Sequence, residues 1–227
     1  MTVLGHWCLV WFFGNFGLGV TSVVFTPECP QSITLRRQLL EVYWQRPREG
    51  WVNLSTDGSS KGNPCLATAG GLIRDAGGCW LAGFGTNLGF CSPWQAELWV
   101  VYHGLTLAWF HGYSRVDLTI DSAMVVSNFT NASHQVVNNL VLAIWELLLR
   151  NWIVRARHVF RESNRCVDWL ANYSYRLPVG VQWFNQAIEG MSTLLFADSI
   201  GVALPRVATH VVLFFGRLPC LFEQKKL

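Results

Sequence analysis

Two short stretches of this chain carry the same alternation and end in the same way. In WVNLSTDGS, Val52, Leu54 and Thr56 fall on one face, with Asn53, Ser55 and Asp57 on the other. In RVDLTIDS, Val116, Leu118 and Ile120 likewise oppose Asp117, Thr119 and Asp121. A period of two belongs to a half-buried β-strand, so each stretch predicts a strand that closes on an aspartate. Such strands need partners and a covering layer. A chain of 227 residues can supply both, with one complete core and sequence to spare at the ends.

Between the two strands lies ATAGGLIRDAGGCWLAGFGTN, two β-prone runs joined by the turn chemistry of Asp75 to Gly78. This predicts a meander of three antiparallel strands. SPWQAELWVVYHGLTLAWFHGY follows, with Ser92 as N-cap, Pro93 at the first helical position and a stop near Gly112. Glu97 falls in the second turn of that helix. After the strand ending at Asp121 the pattern predicts a short helix over Ser122 to Phe129 and a loop through Asn131 to His134. An amphipathic helix from about Val136 to Trp152, a fifth strand in VRARHVF, and a last helix in NRCVDWLANYSYR complete the pattern. Asp168 sits near the start of that last helix. The order predicts an α/β fold: a five-stranded mixed sheet, three antiparallel strands then two more, flanked by helices.

Composition divides the chain into three parts. Residues 1–50 read as an apolar lead-in and linker, with a short helix expected over Thr34 to Trp44. Residues 51–177 read as the domain, and residues 178–227 as a poorly defined tail with no clear element from about Arg206 onward. Residues 3–25 are long and apolar enough to raise a membrane anchor or signal peptide as an alternative. Against this, no Lys or Arg precedes Arg36, and Asn15 and several glycines interrupt the run. Seven scattered cysteines without a C-x-x-C pair point to a reducing compartment, which favours the nucleus or cytoplasm. Asn53, Asn128, Asn131 and Asn172 head N-x-Ser/Thr triplets, but Asn53 lies in a predicted strand. The net charge of +3 permits a polyanionic partner without requiring one.

Acids are scarce here, 14 of 227 residues, so those embedded among apolar neighbours need a reason. Asp57 and Asp121 at strand ends and Glu97 on the intervening helix can converge on one end of a sheet, with Asp168 arriving from the later helix. Mg²⁺ favours such oxygen ligands and keeps several waters. Two ions would serve an in-line displacement at phosphorus. Without metal, the clustered charges would raise one another's pKa.

TDGSSKGNP, the helix-borne AEL, IDS at a strand end and HVFRESNRCVDWLA resemble the plant ribonuclease H-like domains derived from the reverse-transcriptase polyproteins of non-LTR retrotransposons. The resemblance covers Trp51 to Arg176, and LLFADSIGVALPR is similar to sequence that follows the domain in those proteins. It implies a ribonuclease H type 1 fold in which Asp57, Glu97, Asp121 and Asp168 bind two Mg²⁺, with Mn²⁺ as a possible substitute, and cut the RNA strand of an RNA–DNA hybrid. His158, ten positions before Asp168, matches the family's flexible histidine, which assists proton transfer or product release. Gly58, Ser59, Gly62 and Asn63 are placed to read 2′-hydroxyls across the minor groove. Lys61, Arg155, Arg157 and Arg161 are candidates for phosphate contacts. Glu162 reads as a solvated loop acid. The chain departs from the bacterial pattern at Cys91-Ser92-Pro93-Trp94, where an Asn-rich turn is usual, and at Val167, where Ala is usual. The interval from Asp121 to Asp168 is also too short for a basic protrusion. Weak hybrid affinity and a monomeric state are the expectations, and a non-catalytic nucleic-acid-binding remnant is the alternative.

Overall fold

The computed structural model describes residues 32–62, 65–130 and 138–214. The apolar run of residues 3–25 and the candidate Asn63 lie outside the described residues. In chain order the strands are β1 (Ser32–Val42), β2 (Val52–Lys61), β3 (Leu66–Arg74), β4 (Trp80–Phe90), β5 (Arg115–Ile120), β6 (Ile153–His158), β7 (Gly180–Phe184) and β8 (Leu204–Phe214). The α-helices are α1 (Pro93–Phe110), α2 (Ala123–Thr130), α3 (Asn139–Leu148), α4 (Arg165–Tyr173) and α5 (Ser192–Ser199).

Residues Val42–Leu204 form one compact unit, and among the described residues 32–41 and 205–214 belong to another. In the terminal unit β1 and β8 make a two-stranded sheet. Two expectations are corrected there: Thr34 to Trp44 is not helical, since β1 runs to Val42, and the stretch after Arg206 carries a strand. In the larger unit six strands lie in the order β6-β5-β2-β3-β4-β7. β2, β3 and β4 form the expected antiparallel meander, while β5 and β6 run parallel to β2. The sixth strand, β7, pairs antiparallel with β4 and was not legible in the sequence.

The alternation in β2 is real, but its polar face does not meet water. All of Val52 to Asp57 is buried, because both faces of the sheet are covered. On one face α1 comes so near that a Cβ on Gly104 would stand 3.1 Å from the Leu54 methyls. On the other, a Cβ on Gly70 of β3 would stand 2.6 Å from the backbone nitrogen of Ala171 in α4. The inner polar residues are therefore paired with one another, as buried polar groups must be. Asn53 accepts from Trp44 Nε1 at 3.0 Å and from the Ser55 hydroxyl at 2.8 Å, and donates to the Asp117 carbonyl at 3.0 Å. Fully buried and so bonded, Asn53 is closed to glycosylation in this fold.

Two apolar clusters fill the layers. The larger joins α1 and α3 to the sheet through Leu54, Leu98, Leu105, Leu118 and Ile144. The smaller, on the α4 face, gathers Leu72, Cys166, Val167, Leu170 and Met191.

Candidate metal centre

The register places the acids. β2 pairs with β5 up to Thr56 opposite Ile120, and β5 pairs with β6 up to Ile120 opposite His158. Asp57 and Asp121 are thus the next residues along two parallel neighbours. Asp57 does not end β2 itself, as its sequence suggested, because β2 continues to Lys61 alongside β3. It ends only the parallel part, at the level where the sheet opens.

Glu97 reaches the same point from α1. Ser92 caps this helix, accepting from Gln95 N at 3.2 Å while its own N–H donates to Gln95 Oε1 at 3.0 Å. Gly58 lets the helix approach: a Cβ there would stand 3.1 Å from Glu97 N and 3.2 Å from its carboxyl carbon. The Gly58 backbone acts to lower the Glu97 pKa, against the burial that raises it. One ligand atom each from Asp57, Glu97 and Asp121 then lies within 4.8 Å of the others.

Three carboxylates at that separation repel when ionised, and burial adds to the cost. Burial first, then Asp121, Glu97 and Asp168, pushes the Asp57 carboxyl up to about 9. Burial and then Asp121 push Glu97 up to about 8, and burial raises Asp121. Asp57 Oδ2 and Glu97 Oε2 are buried and have no protein partner. Buried oxygens that nothing in the protein satisfies, in a set of hard oxygen donors, fit a divalent cation of the Mg²⁺ type.

Asp168, in the first turn of α4, stands beside this trio and acts on Asp57 and Asp121 through its charge. Its Oδ1 accepts from Arg161 Nη2. Asn164, just ahead of α4, donates from Nδ2 to the Thr56 carbonyl at 3.0 Å and so ties the start of that helix to the strand bearing Asp57. His158 lies at the end of β6 with Nε2 3.0 Å from the Asp121 carbonyl oxygen, which requires the ring to donate from that nitrogen.

The candidate substrate and phosphate residues divide. Ser59 Oγ is 3.3 Å from Tyr175 Oη, and Lys61 Nζ lies 4.2 Å from the centre of the Tyr175 ring. Gly62 turns the chain with φ at +82°. Arg161 faces the carboxylates, since Asp168, Asp57 and Asp121 all raise its pKa. Arg155 is stacked on Trp51 at 4.3 Å, and Arg157 donates to Gln45 at 2.9 Å. Tyr175 was not legible in the sequence, since its link to β2 spans more than a hundred residues of chain. It also left unseen that Arg161 would pair with Asp168.

A six-stranded mixed sheet with helices on both faces and this acidic cluster at its opening defines a ribonuclease H-like α/β protein. The chain belongs to the reverse transcriptase-like family, whose sequence model matches residues 55–174. It is 44% identical over 177 residues to a protein of Arabidopsis thaliana named as a ribonuclease H protein, an overlap of 77% of this chain and 28% of that one. The chain thus spans little more than a quarter of that relative's length. Among solved structures it is similar to ribonuclease H1 of the halophilic archaeon Halobacterium salinarum, at 29% identity and a TM-score of 0.50, covering 55% of this chain and 97% of that one. It is also similar to an N-terminal ribonuclease H domain from Mycobacterium tuberculosis, at 26% identity and a TM-score of 0.51, covering 55% of this chain and 92% of that one. Among the described residues no helix is long and apolar enough to cross a membrane.

Proposed function

We propose that this protein hydrolyses the RNA strand of RNA–DNA hybrids in a reaction that depends on Mg²⁺ or Mn²⁺, leaving 3′-hydroxyl and 5′-phosphate ends. One observation carries the reading: carboxylates from two strands and a helix meet within 4.8 Å, and two of their buried oxygens lack any protein partner. Asp57, Glu97 and Asp121 would hold the cations, with Asp168 completing the set from α4. When bound, two such ions supply activation of the attacking water and stabilisation of the leaving oxygen.

The chain's own residues take the other parts. Arg161, largely exposed beside the carboxylates, offers a positive charge to an incoming phosphate. His158, whose Nε2 is bonded to the Asp121 carbonyl, would accept or return a proton at its other ring nitrogen. Gly58, Ser59, Lys61 and Asn63, in and after β2, would meet the hybrid's minor groove, where 2′-hydroxyls distinguish RNA from DNA. The names of the relatives agree with this activity. Phosphate contacts from Lys61 and Arg161 would make binding salt-sensitive and independent of sequence.

The test is cleavage of a labelled RNA–DNA hybrid in Mg²⁺ and in Mn²⁺ by the wild type and by Asp57→Asn, with duplex RNA and duplex DNA as controls. Hybrid-only cleavage that falls to background in the variant is the expected result. A folded wild type that cuts nothing would leave a non-catalytic binding protein as the better account.

A further inference from the structure

The α4 face of the sheet holds a buried charge cluster that the metal centre does not use. Arg74, at the end of β3, is 1% exposed, and its Nη1 meets Asp198 Oδ2 at 2.8 Å. The Arg74 guanidinium carbon lies over the Trp44 ring, 3.7 Å from its centre. Asp198, near the end of α5, is 3% exposed and takes two further contacts, both from the first turn of α4. Cys166 Sγ donates to its Oδ2 at 3.2 Å, and Arg165 Nη2 is 3.6 Å from its Oδ1. Asp168 follows Cys166 by two residues.

We propose that Asp198 is a positioning residue for α4, fixing the turn that carries Asp168 so that this carboxylate faces Asp57, Glu97 and Asp121. The inference rests on the metal reading above. Asp198 lies outside residues 55–174, which the family model matches.

The arrangement does more than fill space. A buried ion pair is a poor source of net stability, because desolvation offsets the attraction, and apolar residues of like volume often do as well. It is directional, however. α4 is held at its far end by Gly70 against Ala171 and by the Thr68 hydroxyl donating to the Ala171 carbonyl at 2.7 Å. Without Asp198, its first turn keeps the Asn164 bond to Thr56 and the long contact of Arg74 Nη1 with Cys166 Sγ at 3.9 Å, but loses the carboxylate that joins Arg74, Cys166 and Arg165. Residues behind metal ligands that orient them in this way typically change metal affinity by about 10–100-fold when lost.

The test uses the full chain with Arg74→Met and Asp198→Leu together, an apolar swap expected to fold. Arg165→Met, which removes one arm at a partly exposed position, is the milder second variant. Mn²⁺ binding is measured by calorimetry with Asp168 present and in an Asp168→Asn background, and amide exchange is followed along α4. The expected result is Mn²⁺ affinity reduced by about tenfold or more in the swap, in the presence of Asp168 only. Faster exchange should accompany it in the first turn of α4, with β2 and β3 unchanged. Equal weakening in both backgrounds, or wild-type affinity and exchange in a folded variant, would overturn the proposal. If the swap does not fold, Arg165→Met decides by the same criteria with a smaller shift. A wild type that binds no Mn²⁺ would instead sink the metal reading, and the exchange pattern alone would then judge whether Asp198 fixes α4.

Discussion

Asp57 is an acid in a place where ionisation is costly, and that sets how the protein should respond to pH and metal. Its carboxyl is pushed up to about 9 and that of Glu97 up to about 8, so the metal-free folded state holds protons that the unfolded chain has released. Where the native state binds more protons, stability falls as pH rises. For Asp57 the window opens near the ordinary carboxylate value of 3.8 and closes near 9. Metal-free protein should therefore melt at progressively lower temperature as pH rises through this window, as far as these two groups govern it. Divalent cations must displace those protons, so their stabilising effect should grow with pH. Thermal unfolding at pH 6 and pH 8.5, each with chelator and with Mg²⁺ or Mn²⁺, measures both trends. A metal-induced shift that is equal at the two pH values would contradict this account of the cluster. Asp57→Asn should flatten the trend in chelator, because it removes a group raised further than Glu97.

At the scale of elements, a close approach of helix to sheet depends on one missing side chain. Gly70 faces α4, and a Cβ there would meet backbone at 2.6 Å and Leu170 atoms at 3.0 Å, none of which can swing aside. Gly70→Ala should cost about 1–3 kcal/mol as α4 is forced outward, readable by urea unfolding. Hybrid cleavage should fall with it, since Asp168 rides on the same helix. The elements legible in the sequence were those whose period and caps are local: the β2 and β5 alternations, and α1 with Ser92 and Pro93. β1 was misread because SITLRRQLLEV is rich in residues that favour helix, while its strand partner lies more than 150 residues away in β8. β7 escaped notice for a similar reason. GVQWF is five residues long and is recruited by β4, with little alternation of its own to announce it.

For the whole molecule, the same distinction explains how much of the site could be read in advance. Asp57, Glu97 and Asp121 sit in short motifs whose elements are locally coded, and the fold brings them together. Tyr175 beneath Lys61, and Asp198 behind α4, are joined to the site by contacts across 114 and 32 residues of chain, which no local window holds. Sequence patterning fades beyond Leu177, yet residues up to Leu204 belong to the same compact unit as the sheet. A chain of residues 42–177 should therefore lack part of its own core. It would lose β7 from the β4 edge and Met191 from the cluster of Leu72, Val167 and Leu170. Water would reach Arg74 once Asp198 is gone, so the larger loss is apolar. Met191 alone, fully buried, is worth about 1.5–3 kcal/mol, and Leu194 and Leu195 pack against the same cluster. Against a total stability of about 5–15 kcal/mol for a domain, losses of that size leave little margin. Circular dichroism melts of residues 42–177 and 42–204 compare the two ends directly. The longer piece should unfold cooperatively, and the shorter one should melt at least several degrees lower or fail to fold. Equal melting temperatures would mean that α5 only decorates the fold, and the α4 face would then have to be stable without its second layer.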